Sequence, residues 1–169
     1  GLKWFHECFD PVISALRCHG LVNSLGQLVL KVTSPGVPDF YQGTELPDLS
    51  LVDPDNRRAV DYSLREELLC DAAAGMHSRR RMVTDFVNHW PDARVKMYVT
   101  ALTLSARRAN DEVFRKGSYE ARYSDGARRN HVVAFERRYR RRSALVLVPL
   151  RSRTIAGAEQ LPLGEVVWG

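Results

Sequence analysis

Apolar residues recur along the first part of the chain with the spacing of an amphipathic helix. From Leu21 to Val32 they occupy positions i, i+1, i+4, i+7, i+8 and i+11, which lie on one face of a helix of about thirteen residues. The preceding stretch, 9–17, has a shorter pattern of the same period, and Gly20 between the two predicts a break. We therefore expect two helices here, and the apolar face of the second should pack on a sheet.

The pattern changes over residues 34–62, SPGVPDFYQGTELPDLSLVDPDNRRAVDY. Pro38 restricts its own φ and biases the preceding residue toward extended geometry, while Gly36 and Gly43 permit backbone angles that a side chain would forbid. Residues 38–43 are therefore predicted to form a short buried strand with sharply defined ends. The polar run after it is predicted to be a long loop, and long ordered loops are disproportionately functional.

Three further helices are predicted after this loop. Apolar stripes indicate helices over 64–74 and 77–89, separated by Gly75. A third helix is predicted from Pro91 through Ala106, although several of its residues have a β preference. The stripes are typical of core packing rather than of cofactor contacts: Leu64, Leu68, Leu69, Met82, Val83, Phe86, Val87 and, just past the second helix, Trp90.

Strand signals begin beyond residue 110. Two short apolar runs rich in branched residues, 132–135 and 144–150, indicate strands, and Gly-containing turn signals separate them from their neighbours. Residues 111–169 are therefore predicted to form a small antiparallel β-domain. Residues 1–110 are predicted to form a separate, mostly helical part.

The composition limits the classes of protein to which this chain can belong. The chain has 169 residues, 44% of them hydrophobic, which is enough for a core. The net charge of +5 and the arginine clusters 79–81 and 137–142 could indicate nucleic acid. However, 20 acidic residues dilute them and no nucleic-acid module accompanies them. We expect no nucleic-acid partner and interpret the arginine clusters as solvated faces.

Metal, disulfide and membrane signals are weak. Cys8, Cys18 and Cys70 are odd in number and form no CxxC pair, which favours a reducing, cytoplasmic location without a disulfide framework or a zinc site. The five histidines are scattered without an HxxxH pattern and are expected to be structural. Apolar runs fall short of the roughly 18 residues of a membrane span, and the start has no signal-peptide pattern, so a soluble, non-secreted protein without a membrane partner is expected.

The polar loop carries the chemistry. Its planar carboxylate, amide and guanidinium groups can hydrogen-bond the hydroxyls of a sugar, and Tyr41 could cover an apolar sugar face. The alternative is a structural cluster of salt bridges and turns. The crowded polar residues are Glu45, Asp48, Asp53, Asp55, Asn56, Arg57 and Arg58.

The motifs SPGVPDFYQGTEL and LVDPDNRRAVDY resemble those of the maltooligosyl trehalose synthases, within the alpha-amylase family of glycoside hydrolases. A looser pattern of the wider family, Gly-x-Pro-x-x-Tyr-x-Gly-x-Glu, is matched by Gly36, Pro38, Tyr41, Gly43 and Glu45. The resemblance implies an α/β plus all-β fold: the last helix–strand unit of a (β/α)8 barrel with following helices, then a small β-sandwich-like domain. It places the loop after 38–43 at the active face of the barrel.

The resemblance also implies an activity. The family rearranges the reducing-end α-1,4 linkage of a maltooligosaccharide to an α,α-1,1 linkage, without a cofactor. Its catalytic carboxylates follow barrel strands four, five and seven, and this chain begins after the seventh, so we assign no catalytic residue and no metal ligand and expect the isolated chain to be inactive. The expected sugar-binding residues are Tyr41, Gln42, Glu45, Asp55, Asn56, Arg57 and Arg58. Arg57 or Arg58 should hold the loop through a bidentate pair with a carboxylate.

Two other functions remain open at this point. The chain could be a non-catalytic carbohydrate-binding or interaction module, or part of another amylase-family hydrolase. A piece of a barrel should expose apolar helix faces, which separates it from a self-contained module. The sequence leaves the oligomeric state open.

Overall fold

The structure is a computed structural model that describes residues 2–51, 53, 55–75 and 78–169, with the backbone alone at residue 55. The described residues form six α-helices and one antiparallel sheet of three strands. These elements are α1 (Leu2–Thr33), α2 (Tyr62–Gly75), α3 (Arg79–Asn88), α4 (Arg94–Ala109), α5 (Asp111–Lys116), β1 (Ser118–Arg122), β2 (Val132–Tyr139), β3 (Arg142–Pro149) and α6 (Glu165–Trp168). None of the described helices has the length and apolar character needed to cross a membrane.

Helix α1 is continuous from Leu2 to Thr33, so the predicted break at Gly20 is wrong. Glycine in a helix interior costs about 1 kcal/mol relative to alanine. The neighbouring Leu21 and Val22 are buried, and burying one such side chain contributes about 1.5–3 kcal/mol. Packing therefore carries the helix through a position at which local propensity favours a stop.

The second half of α1 packs on the sheet, which confirms the prediction from its apolar periodicity. The strands lie in the order β1-β2-β3, and both neighbouring pairs are antiparallel. A buried cluster joins the two layers: Phe135, Val146 and Val148 of the sheet, with Val29 and Leu30 of α1. A methyl group added at Gly26 would come within 2.8 Å of Val148 Cγ1, so the absence of a side chain there permits the close approach of helix and sheet.

The three helices predicted after the loop are confirmed as α2, α3 and α4, and residue 77 of the second one lies outside the described residues. A second core lies between these helices. Val95 and Thr100 are buried in α4 despite their β preference, because burial against neighbouring helices outweighs that preference. The core contains Ala72, Phe86, Val95 and Tyr98, with Leu25, Met82, Trp90, Val99 and Leu102 packed against it. The prediction of core positions is wrong for four members of the stripes, which the described chain leaves exposed: Leu64, Leu69, Val83 and Val87.

Arg137 is 1% exposed, so the interpretation of the arginine clusters as solvated faces is wrong at this position. Its guanidinium donates to the backbone carbonyls of Thr33, Phe114, Gly117 and Ser118, at 3.0, 2.8, 3.1 and 2.9 Å. These carbonyls lie at the C-terminal ends of α1 and α5 and at the start of β1, and helix C-termini attract cations. One side chain thus joins the helical part of the chain to the sheet.

The strands predicted over 132–135 and 144–150 are confirmed as β2 and β3, apart from residue 150. The described residues contain a single sheet, and the second layer of a β-sandwich is not among them. On the outer face of this sheet, Arg122 and Arg138 donate hydrogen bonds to Glu136 and lower the pKa of its carboxyl to about 2. The division of the chain at residue 110 stays a prediction.

Residues 38–43 form no strand: the backbone is irregular through residue 41 and then forms a turn over 42–45. The predicted buried strand is therefore wrong for this chain, and Tyr41 is 48% exposed. A strand requires a neighbouring strand to pair its N–H and C=O groups, and the part of the chain that the structure describes places none beside this segment.

Candidate functional site

The connection between α1 and α2, residues 34–61, contains the predicted site residues and is called the candidate loop here. Its start is held by Arg107 of α4. Nη1 of Arg107 donates to Val32 O at 2.5 Å and to Ser34 O at 3.4 Å, and Nη2 donates to Gly36 O at 2.6 Å. Gly36 has a φ of +105°, which glycine adopts without strain. The chain therefore leaves α1 in a defined direction.

The middle and the end of the candidate loop are held by Arg65 of α2. Its Nε donates to Glu45 Oε2 at 3.1 Å, its Nη2 to Gly43 O at 2.8 Å, and its Nη1 to Asp61 O at 2.9 Å. Asp61 also caps α2, because its Oδ1 accepts the N–H of Leu64 at 2.9 Å. A single guanidinium thus fixes both ends of the polar part of the loop.

The segment after Glu45 is held by Lys96 and by an internal turn. Lys96 Nζ donates to Leu46 O at 3.2 Å, and burial, together with the neighbouring Lys31 ammonium, lowers the pKa of Lys96. Hydrogen bonds from the hydroxyl and N–H of Ser50 lower the pKa of Asp48. Asp48 therefore stays ionised at neutral pH, which suits a hydrogen-bond acceptor and not a general acid.

The bidentate pair predicted for Arg57 or Arg58 is present at Arg57. Its Nη2 donates to Asp53 Oδ2 at 2.6 Å, and its Nε contacts Asp53 Oδ1. The two side chains are 70% and 47% exposed, however, and exposed ion pairs contribute only about 0–1 kcal/mol to stability. The pair closes one turn of the loop without anchoring it to a helix.

Three of the predicted sugar-binding residues line one cavity of about 260 Å³ in the candidate loop: Gln42, Asn56 and Arg58. Asp48, Asp61 and Arg65 line it as well. The Oδ1 atom of Asn56 is buried, and no described residue donates a hydrogen bond to it. Buried polar atoms are usually paired, so this acceptor is a candidate partner for a donor group such as a hydroxyl.

Three of the other predicted residues are not among the cavity-lining residues. Tyr41 is exposed, Glu45 is paired with Arg65, and Arg57 is paired with Asp53. The side chain of Asp55 lies outside the described residues. The structure thus shows which of the predicted residues line the cavity and which are paired within the loop or with α2.

Sequence reasoning missed Arg65, Lys96 and Arg107, which hold the candidate loop. Arg65 lies only a few residues beyond the DPDNRR motif, but no local pattern distinguishes it from other helical arginines. Lys96 and Arg107 are far from the loop in sequence, and only the packing of α4 beside it brings them there. The acceptors of Lys96 and Arg107 are backbone carbonyls. Every residue type carries such a group, so the sequence does not indicate these contacts.

His19 has the structural role expected of the histidines. It is buried, and its Nε2 lies 3.1 Å from Gly157 O while its Nδ1 lies 2.9 Å from Ser152 Oγ. Since a carbonyl only accepts, Nε2 carries the proton and the Ser152 hydroxyl donates to Nδ1. The ring joins α1 to the segment after β3, away from the candidate loop.

Metal-ligating side chains are dispersed within the described ranges: they contain no group of three or more His, Cys, Asp or Glu that could hold an ion. Cys8, Cys18 and Cys70 are free thiols, of which only Cys18 is buried. Trp90 Nε1 donates to the sulfur of Cys18 at 3.2 Å, so that thiol has a packing role.

Similarity to known proteins agrees with the motif resemblance. No protein-family model matches the chain. A Mycobacterium tuberculosis protein named as a candidate maltooligosyl trehalose synthase is 38% identical over 126 residues, in two strains. That match covers 75% of this chain and 14% of the relative.

Solved structures agree as well. A maltooligosyl trehalose synthase superimposes with a TM-score of 0.71 at 32% identity, over 87% of this chain and 18% of that one. The maltooligosyltrehalose synthase from Arthrobacter ramosus gives a TM-score of 0.69 at 30% identity, over 90% of this chain and 18% of that one. The resemblance is confirmed, and the chain spans 14–18% of the length of these relatives.

Proposed function

We propose, from its similarity to one part of the maltooligosyl trehalose synthases, that the chain belongs to an enzyme of that family. The proposed reaction of the whole enzyme is an intramolecular transglucosylation. The α-1,4 bond to the reducing-end glucose breaks, and the released anomeric carbon of the donor forms an α,α-1,1 bond with the anomeric hydroxyl of that same glucose. Water must be kept from the glycosyl intermediate so that isomerisation outruns hydrolysis.

An exposed apolar stripe on α1 supports a larger parent protein. Its members recur at three- and four-residue spacing along the first half of the helix, which places them on one side. Monomeric proteins rarely expose contiguous apolar patches larger than a few hundred Å², so the stripe favours a covered helix over a self-contained module. The α1 stripe consists of Leu2, Phe5, Phe9, Val12, Ile13 and Leu16.

The stripe fits the architecture that the resemblance implies. In the proposed enzyme α1 is the last helix before the final barrel strand, and the rest of the protein supplies the strands beside residues 38–43. Pro38 and Gly43 are compatible with a short strand at a barrel edge once those partners are present. The candidate loop then lies at the carboxyl end of that strand, where barrel enzymes place their active sites. The sheet β1-β2-β3 is proposed as one layer of the C-terminal sandwich.

The candidate loop is proposed to form part of the sugar-binding wall of this enzyme. Gln42, Asn56 and Arg58 line a cavity of about 260 Å³, which is slightly smaller than the roughly 300–1,000 Å³ typical of small-molecule sites. It is suited to one terminal sugar unit rather than to a chain of them. Asn56 Oδ1, which has no partner among the described residues, would accept a sugar hydroxyl, and the exposed Tyr41 would cover an apolar sugar face. Asp55 and the guanidinium of Arg57 complete the proposed wall.

The parent enzyme is expected to convert maltooligosaccharides to products that end in trehalose, as measured by the loss of reducing ends and by product analysis. Arg57→Lys and Arg58→Lys should lower kcat/KM by about tenfold, because lysine keeps the charge and loses the planar fork. Arg115→Lys is the matched control, since Arg115 forms a similarly exposed i,i+4 pair with Asp111 in α5. Release of glucose or maltose without trehalose-terminated product would exclude the proposed activity. Wild-type kinetics in both loop variants would exclude these arginines from the wall.

Phe9→Ala is expected to destabilise the parent enzyme more than the isolated chain. In the parent enzyme it should lower the free energy of unfolding by about 1.5–3 kcal/mol, because a buried phenylalanine is lost. In the isolated chain the effect should be smaller, since Phe9 is already 44% exposed there. Chemical denaturation of both proteins measures the difference, and an equal effect in the two contexts would contradict the covered stripe.

The proposed partner of the parent enzyme is therefore a maltooligosaccharide. A cytoplasmic location stays a prediction from the free cysteines, and the absence of a nucleic-acid partner stays a prediction from the charge balance.

A further inference from the structure

We infer that Arg65 is a positioning residue for sugar binding by the candidate loop: its guanidinium sets the geometry of the turn that carries Gln42 and Glu45. The inference rests on the proposed function of the loop. Neither the motif resemblance nor the predicted site residues include Arg65.

The three guanidinium nitrogens of Arg65 have separate acceptors. Nε and Nη2 hold the turn at 42–45, through the Glu45 carboxylate at 3.1 Å and Gly43 O at 2.8 Å. Nη1 holds the far end of the loop through Asp61 O at 2.9 Å. Two segments that are separated in sequence by the whole polar part of the loop therefore meet at one rigid planar group.

Burial distinguishes this contact from the Arg57–Asp53 contact of the loop. The side chains of Arg65 and Glu45 are 17% and 28% exposed, whereas the Arg57–Asp53 pair lies largely in solvent. Charge-assisted hydrogen bonds gain strength as water is excluded from them. Arg65 also extends from the first turn of α2, so the loop is tied to a helix rather than to itself.

Gly43 shows how closely the turn and Arg65 approach each other. Its φ is +90°, and an added Cβ would lie 3.3 Å from Val60 Cγ2 and 3.5 Å from Arg65 Nη2. Any side chain here is strained by the backbone angle and crowds Val60 beside the guanidinium. The glycine therefore permits the contact between its own carbonyl and Arg65.

The turn directly positions groups that line the cavity. Gln42 precedes Gly43, and its Oε1 accepts the hydroxyl of Tyr62, from the first turn of α2, at 3.3 Å. Arg65 itself lines the same cavity as Asn56 and Arg58. Loss of the fork would let the turn at 42–45 move relative to the other wall of that cavity.

The test uses the parent enzyme with Arg65→Lys, and Gly43→Ala as a second variant that disturbs the same contact from the opposite side. Lysine keeps the charge but concentrates its donors at one point, so it cannot serve three acceptors spread around a planar fork. Arg138→Lys is the control, because Arg138 pairs with a carboxylate of the sheet and lies outside the loop. Amide hydrogen exchange over 41–46, KM and kcat for a maltooligosaccharide, and Tm are measured for each protein.

We expect both loop variants to exchange faster over 41–46 than wild type and to raise KM by about tenfold, since small displacements of positioning groups have effects of this size or larger. The control should change neither quantity. Wild-type exchange over 41–46 in Arg65→Lys would overturn the inference. A lower Tm and lower kcat with unchanged KM would overturn it too, because that pattern indicates loss of folded enzyme rather than of positioning.

Failure of the proposed function can be distinguished from failure of the inference about Arg65. A wild-type parent that forms no trehalose-terminated product would overturn the proposed activity and with it the role of Arg65 in sugar binding. The hydrogen-exchange comparison needs no substrate, so it still decides whether Arg65 holds the turn.

Discussion

The isolated 169-residue chain is expected to form no trehalose-terminated product from maltooligosaccharides. Retaining glycoside chemistry needs two carboxyl groups about 5 Å apart, one with a raised pKa as the acid and one ionised as the nucleophile. Within the described part of the chain, the carboxyl groups with a shifted pKa are shifted downward, which is the wrong direction for an acid: Asp48, Asp92 and Glu136.

The loop acids are also engaged in holding structure. Glu45 is paired with Arg65, Asp53 with Arg57, and Asp61 caps α2. Product analysis after long incubation measures the trehalose-terminated product of the isolated chain, with the parent enzyme as the positive control. Product formation by the pure chain that disappears on mutation of Glu45 or Asp48 would show that this chain contains catalytic carboxylates, contrary to the assignment.

Arg137→Met is expected to destabilise the folded chain by about 3–5 kcal/mol, because two or more buried carbonyls lose their hydrogen-bond donor. The substitution removes the donor from four backbone carbonyls, those of Thr33, Phe114, Gly117 and Ser118. Buried acceptors left without partners each cost about 1–3 kcal/mol when they cannot reach water. Urea unfolding, followed by far-UV circular dichroism, measures the shift in midpoint.

The neighbouring Arg138→Met is the matched control. Arg138 lies on the opposite face of β2, where it donates to the carboxylate of Glu136 at 2.7 Å and is 56% exposed. Its loss should cost only about 0–1 kcal/mol. Equal destabilisation by the two variants would mean that the buried carbonyl contacts of Arg137 do not set the stability of the junction between helices and sheet.

Arg107 contributes to the same junction. It donates to carbonyls just before and after the end of α1, so the guanidinia of Arg107 and Arg137 both lie at the C-terminus of one helix. Burial, together with the nearby Arg107 guanidinium, lowers the pKa of Arg137. The carbonyl dipoles of the helix end offset the repulsion between these two cations.

The sequence by itself determined the features that depend on local periodicity and on motifs. The apolar spacing from Leu21 to Val32 predicted a helix face that packs on a sheet, and the branched runs 132–135 and 144–150 predicted antiparallel strands. Both predictions are confirmed, because the regular spacing of buried residues along a helix or strand can be read directly from the sequence. The motif resemblance at 34–62 identified the relatives, since it depends on residue identity and not on contacts.

Only the tertiary structure decided which polar side chains hold the candidate loop and which line its cavity. Arg65, Lys96 and Arg107 bind backbone carbonyls of the loop, and any residue type can supply such an acceptor. The predictions of a helix break at Gly20 and of a solvated side chain at Arg137 are wrong for the same reason. A weak helix former and a charged residue each took a position set by long-range packing, whose free energy exceeds the local preference.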